Sequence, residues 1–151
     1  MCFKHGTLYQ KSSYTLFGLM ICSAIDASLI YIHVPYTTYG LFMVNPTIIS
    51  RSSELDMKVW DEKCLVLPPS FHAVLLRDAQ ITVEYKNLDG DTQRSTFRDE
   101  LSRTVQHEMD HDRGILILDH ISLDEMESDE MRFIENQGHY KRMTLAYSRS
   151  F

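Results

Sequence analysis

Residues 96–114 read TFRDELSRTVQHEMDHDRG, and the periodicity of this stretch organises everything around it. Phe97, Leu101, Val105 and Met109 recur at helical spacing, so at about 100° per residue they share one apolar stripe, with Asp99, Arg103, Gln106 and Asp110 turned away from it. Thr96 followed three residues later by Asp99 has the form of a capping box with Asp in place of Glu. Gly114 stands where such a helix would stop, so the spacing predicts a helix over 97–113. Inside it His107-Glu108-Met109-Asp110-His111 has the pattern H-E-x-x-H. On a helix this sets two imidazoles one turn apart on one side, the separation needed to hold one metal ion, with Glu108 beside it. Seven His and nine Glu in 151 residues would produce that string by chance only about 0.02 times.

Working outward, Ile81, Val83 and Tyr85 alternate with polar residues, and Asn87 to Asp91 supplies a turn in which Gly90 can take positive φ, which predicts a half-buried antiparallel hairpin. Further upstream, Leu29 to Val34 and Leu41 to Val44 read as short strands, punctuated by Pro35 and Asn45-Pro46. Downstream, about Asp124 to Ala146, with Met126, Met131, Phe133 and Ile134, reads as a terminal amphipathic helix interrupted by Gly138. The expected class is α+β, small antiparallel sheets packed around the helix that carries the histidines. No repeat, linker or long charge block divides residues 1–151, which are expected to form a single domain.

Composition excludes several function classes. Fifteen basic against 21 acidic residues give a net charge of -6, the wrong sign for wrapping nucleic acid or an anionic membrane. No apolar run reaches the roughly 18 residues of a membrane span, so neither nucleic acid nor membrane is an expected partner. Cys2, Cys22 and Cys64 are odd in number and widely spaced, which argues against a disulfide framework and for either a single functional thiol or a reducing compartment, cytoplasmic or organellar.

A catalytic zinc-like site needs three protein ligands and an open position for water. A third His placed six residues after His111 would fall on Ile117, which binds no metal. A downstream carboxylate, Glu127, Glu130 or Glu135, is a second option, as in small gluzincin-like proteases. The upstream Cys64, in Asp61-Glu62-Lys63-Cys64-Leu65, is a third, since a thiolate is a strong ligand for zinc or ferrous iron.

With Cys64 included, the chain resembles peptide deformylase. Val105-Gln106-His107-Glu108-Met109-Asp110-His111, running on through Gly114, Leu116, Asp119 and Ile121, is similar to the family's Q-H-E-x-D-H-x-x-G-x-L-x-x-D run, and Glu62-Lys63-Cys64-Leu65 to its E-G-C-L-S. Asn45-Pro46, Ile48, Ile49, Ser50, Arg77, Ile81-Thr82-Val83 and Asn87 to Gly90 add to the likeness. The resemblance implies a metallohydrolase that removes formyl from N-terminal formyl-methionyl peptides near a ribosome. It implies one divalent ion, ferrous iron with zinc, nickel or cobalt as substitutes, held by Cys64, His107 and His111. Glu108 is then the general acid and base, and the backbone N–H of Leu65 an oxyanion donor.

The first family block, G-x-G-L-A-A-P-Q, aligns with Leu16 to Ser23, where Gly18 and Leu19 survive. By resemblance Gly18, Leu19, Ser23 and Glu62 are substrate-binding positions. Ser23 stands where the family has an oxyanion-stabilising Gln, and losing one such donor costs about 2.7–4 kcal/mol. Lys63 replaces a Gly that lets substrate approach, and Val66 replaces a Ser. Family members carry a further strand and helix before this block, so a shortened member or an incomplete start is expected. These departures predict an intact metal site with weakened turnover, or a deformylase-like module that keeps its metal without catalysis.

Overall fold

The computed structural model describes the backbone of residues 4–11 and 14–22, and backbone and side chains of residues 27–33 and 40–121. Strands β1 (Lys4–Lys11), β2 (Tyr14–Cys22), β3 (Ser28–His33), β4 (Gly40–Arg51), β7 (Gln80–Lys86) and β8 (Thr92–Arg98) form one antiparallel sheet in the order β1-β2-β3-β4-β7-β8. Between β4 and β7 the chain leaves this sheet to make a separate hairpin of β5 (Met57–Lys63) and β6 (His72–Asp78). Helix α1 (Asp99–Asp112) packs against β2, β3, β6, β7 and β8, and a 3-10 turn, Ile117–His120, closes over β6. The α+β architecture is the expected one. The terminal helix expected over 124–146, the alternative ligands Glu127, Glu130 and Glu135, and Ser23 lie outside the described residues.

The β7–β8 hairpin follows its sequence: Ile81, Val83 and Tyr85 are buried, and the side chain of Asn87 accepts the N–H groups of Asp89 and Asp91 while Gly90 takes φ 90°. Asn45-Pro46 does not end a strand. β4 continues through it as a bulge, because Asn45 tolerates φ 50° and its Oδ1 accepts the Ser28 N–H at 2.8 Å, while Pro46 sits where no ladder donor is needed.

Two expectations for the helix are corrected. β8 runs through Phe97, so α1 begins only at Asp99, and the Thr96–Asp99 capping box does not form. Asp99 is instead spent on tertiary contacts: its N–H donates to the Ala79 carbonyl at 2.7 Å, its carboxylate meets Lys58, and its φ is 51°. At the other end Gly114, at φ 74°, closes a Schellman motif, with the Gly114 N–H on the His111 carbonyl and the Ile115 N–H on that of Asp110, both at 2.9 Å. Arg103 and Gln106, turned away from the apolar stripe, are buried as well. Every residue from Ser102 to Met109 is buried, because α1 lies between the large sheet and the β5–β6 hairpin.

Two apolar clusters result. Ile30, Ile32, Met43, Ile81, Val83 and Phe97 pack with Val105 and Met109 between sheet and helix. Cys64, Leu67, Phe71, Ala73 and Leu75 pack with Ile117 and Leu118 beneath the hairpin. The polar side chains of α1 are matched on the hairpin side. Gln106 donates to the Asp78 carbonyl at 3.0 Å and accepts the Asp78 N–H at 3.2 Å, so it splints the end of β6 to the helix. The Arg103 guanidinium lies 5.7 Å from the centre of the Trp60 ring.

Candidate metal centre

Cys64 follows directly on β5, in a turn closed by the Leu67 N–H donating to the Cys64 carbonyl at 3.1 Å. Pairing of β5 with β6 fixes where that turn sits, and the hairpin packs its inner face against α1, so the Cys64 thiol is delivered to the helix face that carries His107 and His111. The Sγ lies 3.2 Å from His111 Nε2, and the two imidazole Nε2 atoms are 3.1 Å apart. All three donor atoms fall within 4.8 Å of one another, and all three residues are buried. Two nitrogens bound tetrahedrally at about 2.1 Å from one ion would stand about 3.4 Å apart, so the spacing fits a shared cation.

The electrostatics explain how so polar a cluster is kept in a core. Glu62, at the inner face of β5, is fully buried and accepts from His107 Nδ1 at 2.8 Å, which fixes the tautomer and leaves His107 Nε2 with its lone pair toward Cys64 and His111. Arg77 of β6 donates to Glu62 through Nε at 2.8 Å and Nη2 at 3.0 Å, and to Asp110 through Nη1 at 2.6 Å. Asp110 also accepts from His120 Nε2 at 2.8 Å. Burial would raise the Glu62 pKa, but the His107 and Arg77 hydrogen bonds overcome it and hold the carboxylate at about 2. Burial holds the His107 pKa below the usual imidazole range against the pull of Glu62. Asp110 is likewise held down by His120 and Arg77 despite its burial.

The same burial pushes the Cys64 thiol up to about 12, helped by the nearby charges of Glu108 and Glu62. A thiol, two imidazoles and two carboxylates packed out of water is a donor set that suits a divalent cation, which would displace the thiol proton and balance the negative charge. The residues present therefore fit a metal ion of the zinc or ferrous type.

The polypeptide deformylase family matches residues 23–127. The chain belongs to that family. Peptide deformylase of Rhodopseudomonas palustris (strain BisB18) is 38% identical over 79 residues, covering 52% of this chain and 43% of the relative. That of Rhizobium meliloti (strain 1021) is 40% identical over 82 residues, covering 54% and 45%. The aligned region thus spans less than half the length of these deformylases. Among solved structures, the Met-Ala-Ser-bound class I type b peptide deformylase of Acinetobacter baumannii superposes with a TM-score of 0.55 at 31% identity, over 62% of each chain. Peptide deformylase 1B of Arabidopsis thaliana shares the fold at a TM-score of 0.63 and 24% identity, over 75% of this chain and 64% of that one.

Within this deformylase-family chain, the sequence-predicted residues separate into groups. Cys64, His107 and His111 come together, although 42 positions lie between the first two. Glu108 is fully buried beside them. Leu65 occupies the first central position of the Cys64 turn with its side chain 51% exposed; the closing bond uses the N–H of Leu67, not that of Leu65. Glu62 is corrected: with both carboxylate oxygens engaged by Arg77 and His107 and no exposed surface, it is not open to a substrate. Gly18 and Leu19 lie in the middle of β2, paired with β1 on one edge and β3 on the other, so their peptide groups are engaged inside the sheet, not open to a substrate strand.

The sequence pattern turns Gln106 away from the site, offers Asp110 as a helix-end group or a partner of a ligating His, and gives no signal for His120. The signal for Arg77 was available. In β6, Ala73, Leu75 and Arg77 occupy the buried alternate positions, and a guanidinium on the apolar side of a strand demands a buried anion.

Proposed function

We propose that this chain is a metal-dependent peptide deformylase acting on N-terminal formyl-methionyl peptides of nascent polypeptides. The observation that carries this is the convergence of Cys64 Sγ, His107 Nε2 and His111 Nε2 within 4.8 Å, on the helix that also presents Glu108. Membership of the polypeptide deformylase family supports the reaction class. Cys64, His107 and His111 would hold a divalent ion, ferrous iron by expectation with zinc, nickel or cobalt as alternatives, which when bound would acidify a water and polarise the formyl oxygen. Glu108 takes the proton of the attacking water and returns it to the amine nitrogen as the C–N bond breaks, so that formate and a free α-amine leave. The backbone N–H of Leu65, unused by its turn, is the oxyanion donor proposed on this side. Glu62 holds the His107 ring in place throughout.

The peptide Met-Ala-Ser bound in the Acinetobacter relative is what remains when formyl is removed from formyl-Met-Ala-Ser. Formate release from formyl-Met-Ala-Ser, by protein purified without oxygen, is therefore the direct test. Turnover in the wild type that falls by roughly 10² to 10⁴ in Glu108→Ala, with metal still bound at one equivalent, is the expected result. Absence of turnover in metal-loaded wild type would remove the assignment. A reducing compartment and a position near the ribosome exit are consistent with the buried free thiol of Cys64 and with that substrate.

A second reading is favoured by Lys63. It is exposed at the end of β5, beside Cys64, and stands where the family pattern has a Gly, so a long cation replaces a residue without a side chain there. On this reading the chain keeps its metal but turns over slowly or not at all. Lys63→Gly, expected to raise kcat/KM for formyl-Met-Ala-Ser by more than about tenfold if crowding limits turnover (roughly 1.4 kcal/mol of barrier), distinguishes the two.

A further inference from the structure

The hydrogen bonds around His107 do not stop at Glu62. They continue outward through Arg77 and Asp110 to His120, a residue on the 3-10 turn Ile117–His120 that follows α1. We propose that His120 is a positioning residue for the metal ligand His107, acting through Asp110, Arg77 and Glu62. The inference rests on the reading of Cys64, His107 and His111 as a metal site.

Four features of the chain of contacts carry it. First, every link is short: 2.8 Å from His120 Nε2 to Asp110, 2.6 Å from Asp110 to Arg77, 2.8 and 3.0 Å from Arg77 to Glu62, and 2.8 Å from Glu62 to His107. Second, side-chain exposure falls inward along it, from 34% at His120 and 14% at Asp110 to 6% at Arg77, none at Glu62 and 1% at His107. Third, the Arg77 guanidinium is planar, with one fork on Glu62 and the remaining nitrogen on Asp110, so rotation of one end turns the other. Fourth, Asp110 Oδ2 accepts from both Arg77 and His120, so the imidazole is what holds this carboxylate against the guanidinium from the outside.

The consequence of losing His120 follows from what surrounds it. Arg77, Asp110 and His120 all line a cavity of about 200 Å³ on a different face of α1 from the ligands. Without the imidazole, water entering that cavity reaches the Asp110–Arg77 pair and screens it. Asp110 is then free to turn outward, Arg77 to follow it, and Glu62 to give up its fixed bond to His107. Partners that orient a ligating His typically contribute 10- to 100-fold in metal affinity. His120, three links removed, should contribute at the lower end of that range.

The test uses the full chain, metal-free, titrated with Co²⁺ under anaerobic conditions against a competing chelator, with the visible absorption of bound Co²⁺ recorded. His120→Ala should weaken Co²⁺ binding about 3- to 10-fold and broaden or shift its absorption bands, while His120→Gln, whose side-chain N–H can still donate to Asp110, should restore both to within about twofold of wild type. Equal weakening in the Ala and Gln variants would assign the effect to the packing of the 3-10 turn and overturn the proposal. So would unchanged affinity and bands in His120→Ala. Wild type that takes up no Co²⁺ would instead overturn the metal reading itself, so the two failures are distinguishable. Should His120→Ala not fold, His120→Phe tests the same link: it keeps a ring in the 3-10 turn but cannot donate to Asp110, so it should weaken Co²⁺ binding in the same direction; unchanged binding counts against the proposal.

Discussion

Helix α1 is held by two interfaces of opposite character. Toward the large sheet it offers Val105 and Met109 to Ile30, Ile32, Met43, Ile81 and Val83, an apolar contact with no directional demand. Toward the β5–β6 hairpin it offers His107, Asp110 and Gln106 to Glu62, Arg77 and the backbone of Asp78, a contact made of aimed hydrogen bonds and ion pairs. Burial of apolar area is roughly proportional to area and tolerates small shifts. A buried carboxylate–guanidinium pair adds little net stability over an apolar pair, but its partners must hold their places or leave a charge unmatched. The sheet side therefore supplies the stability of the helix, and the hairpin side fixes the orientation of the imidazole of His107.

That division can be broken deliberately. The largest effect is expected from Arg77→Met, which strands Glu62 without its cation at a fully buried position; a loss of about 3–5 kcal/mol of unfolding free energy in urea denaturation is expected. A loss below 1 kcal/mol would mean that the polar interface is not closed as described. On the sheet side, Ile81→Ala should cost about 2–5 kcal/mol by cavity formation. The folded fraction should nevertheless bind metal as tightly as wild type, and a parallel fall in metal affinity would erase the contrast between the two faces.

Glu62→Gln reverses that outcome. The amide keeps one acceptor of the two, so the chain should remain folded at room temperature while metal affinity, read by chelator competition, falls about 10- to 100-fold. The smallest effect is expected from Asp119→Ala, which removes the acceptor for the Leu116 N–H at the start of the last 3-10 turn; about 0.5–1.5 kcal/mol in thermal or urea unfolding is expected.

Much of this was legible in the sequence because it is local. The H-E-x-x-H spacing places two imidazoles on one side of any helix that forms there, and the alternation of Ile81, Val83 and Tyr85 with the Asn87–Gly90 turn makes a hairpin wherever it is packed. The end of α1 at Gly114 follows from its φ alone. The start of α1 was misplaced because Asp99 answers to Ala79 and Lys58, residues 20 and 41 positions away, and no local capping pattern competes with those contacts. Arg103 and Gln106 turn away from the apolar stripe and are buried all the same, because a hydrophobic stripe describes a helix with one buried side, whereas α1 is covered on two.

The sequence by itself determined which side chains have the chemistry: a thiol, two imidazoles at i and i+4, and a carboxylate between them, since donor type and helical pitch are properties of the residues and the backbone. Only the tertiary structure decided that Cys64 closes the set, and that Glu62 faces His107 inside the protein. Those relations depend on the register of β5 with β6 and on the packing of that hairpin against α1, and such long-range pairings are set by the simultaneous burial of many residues. The same packing brings Arg77, Asp110 and His120 into line behind His107, because charges taken out of water must find one another wherever the chain has carried them.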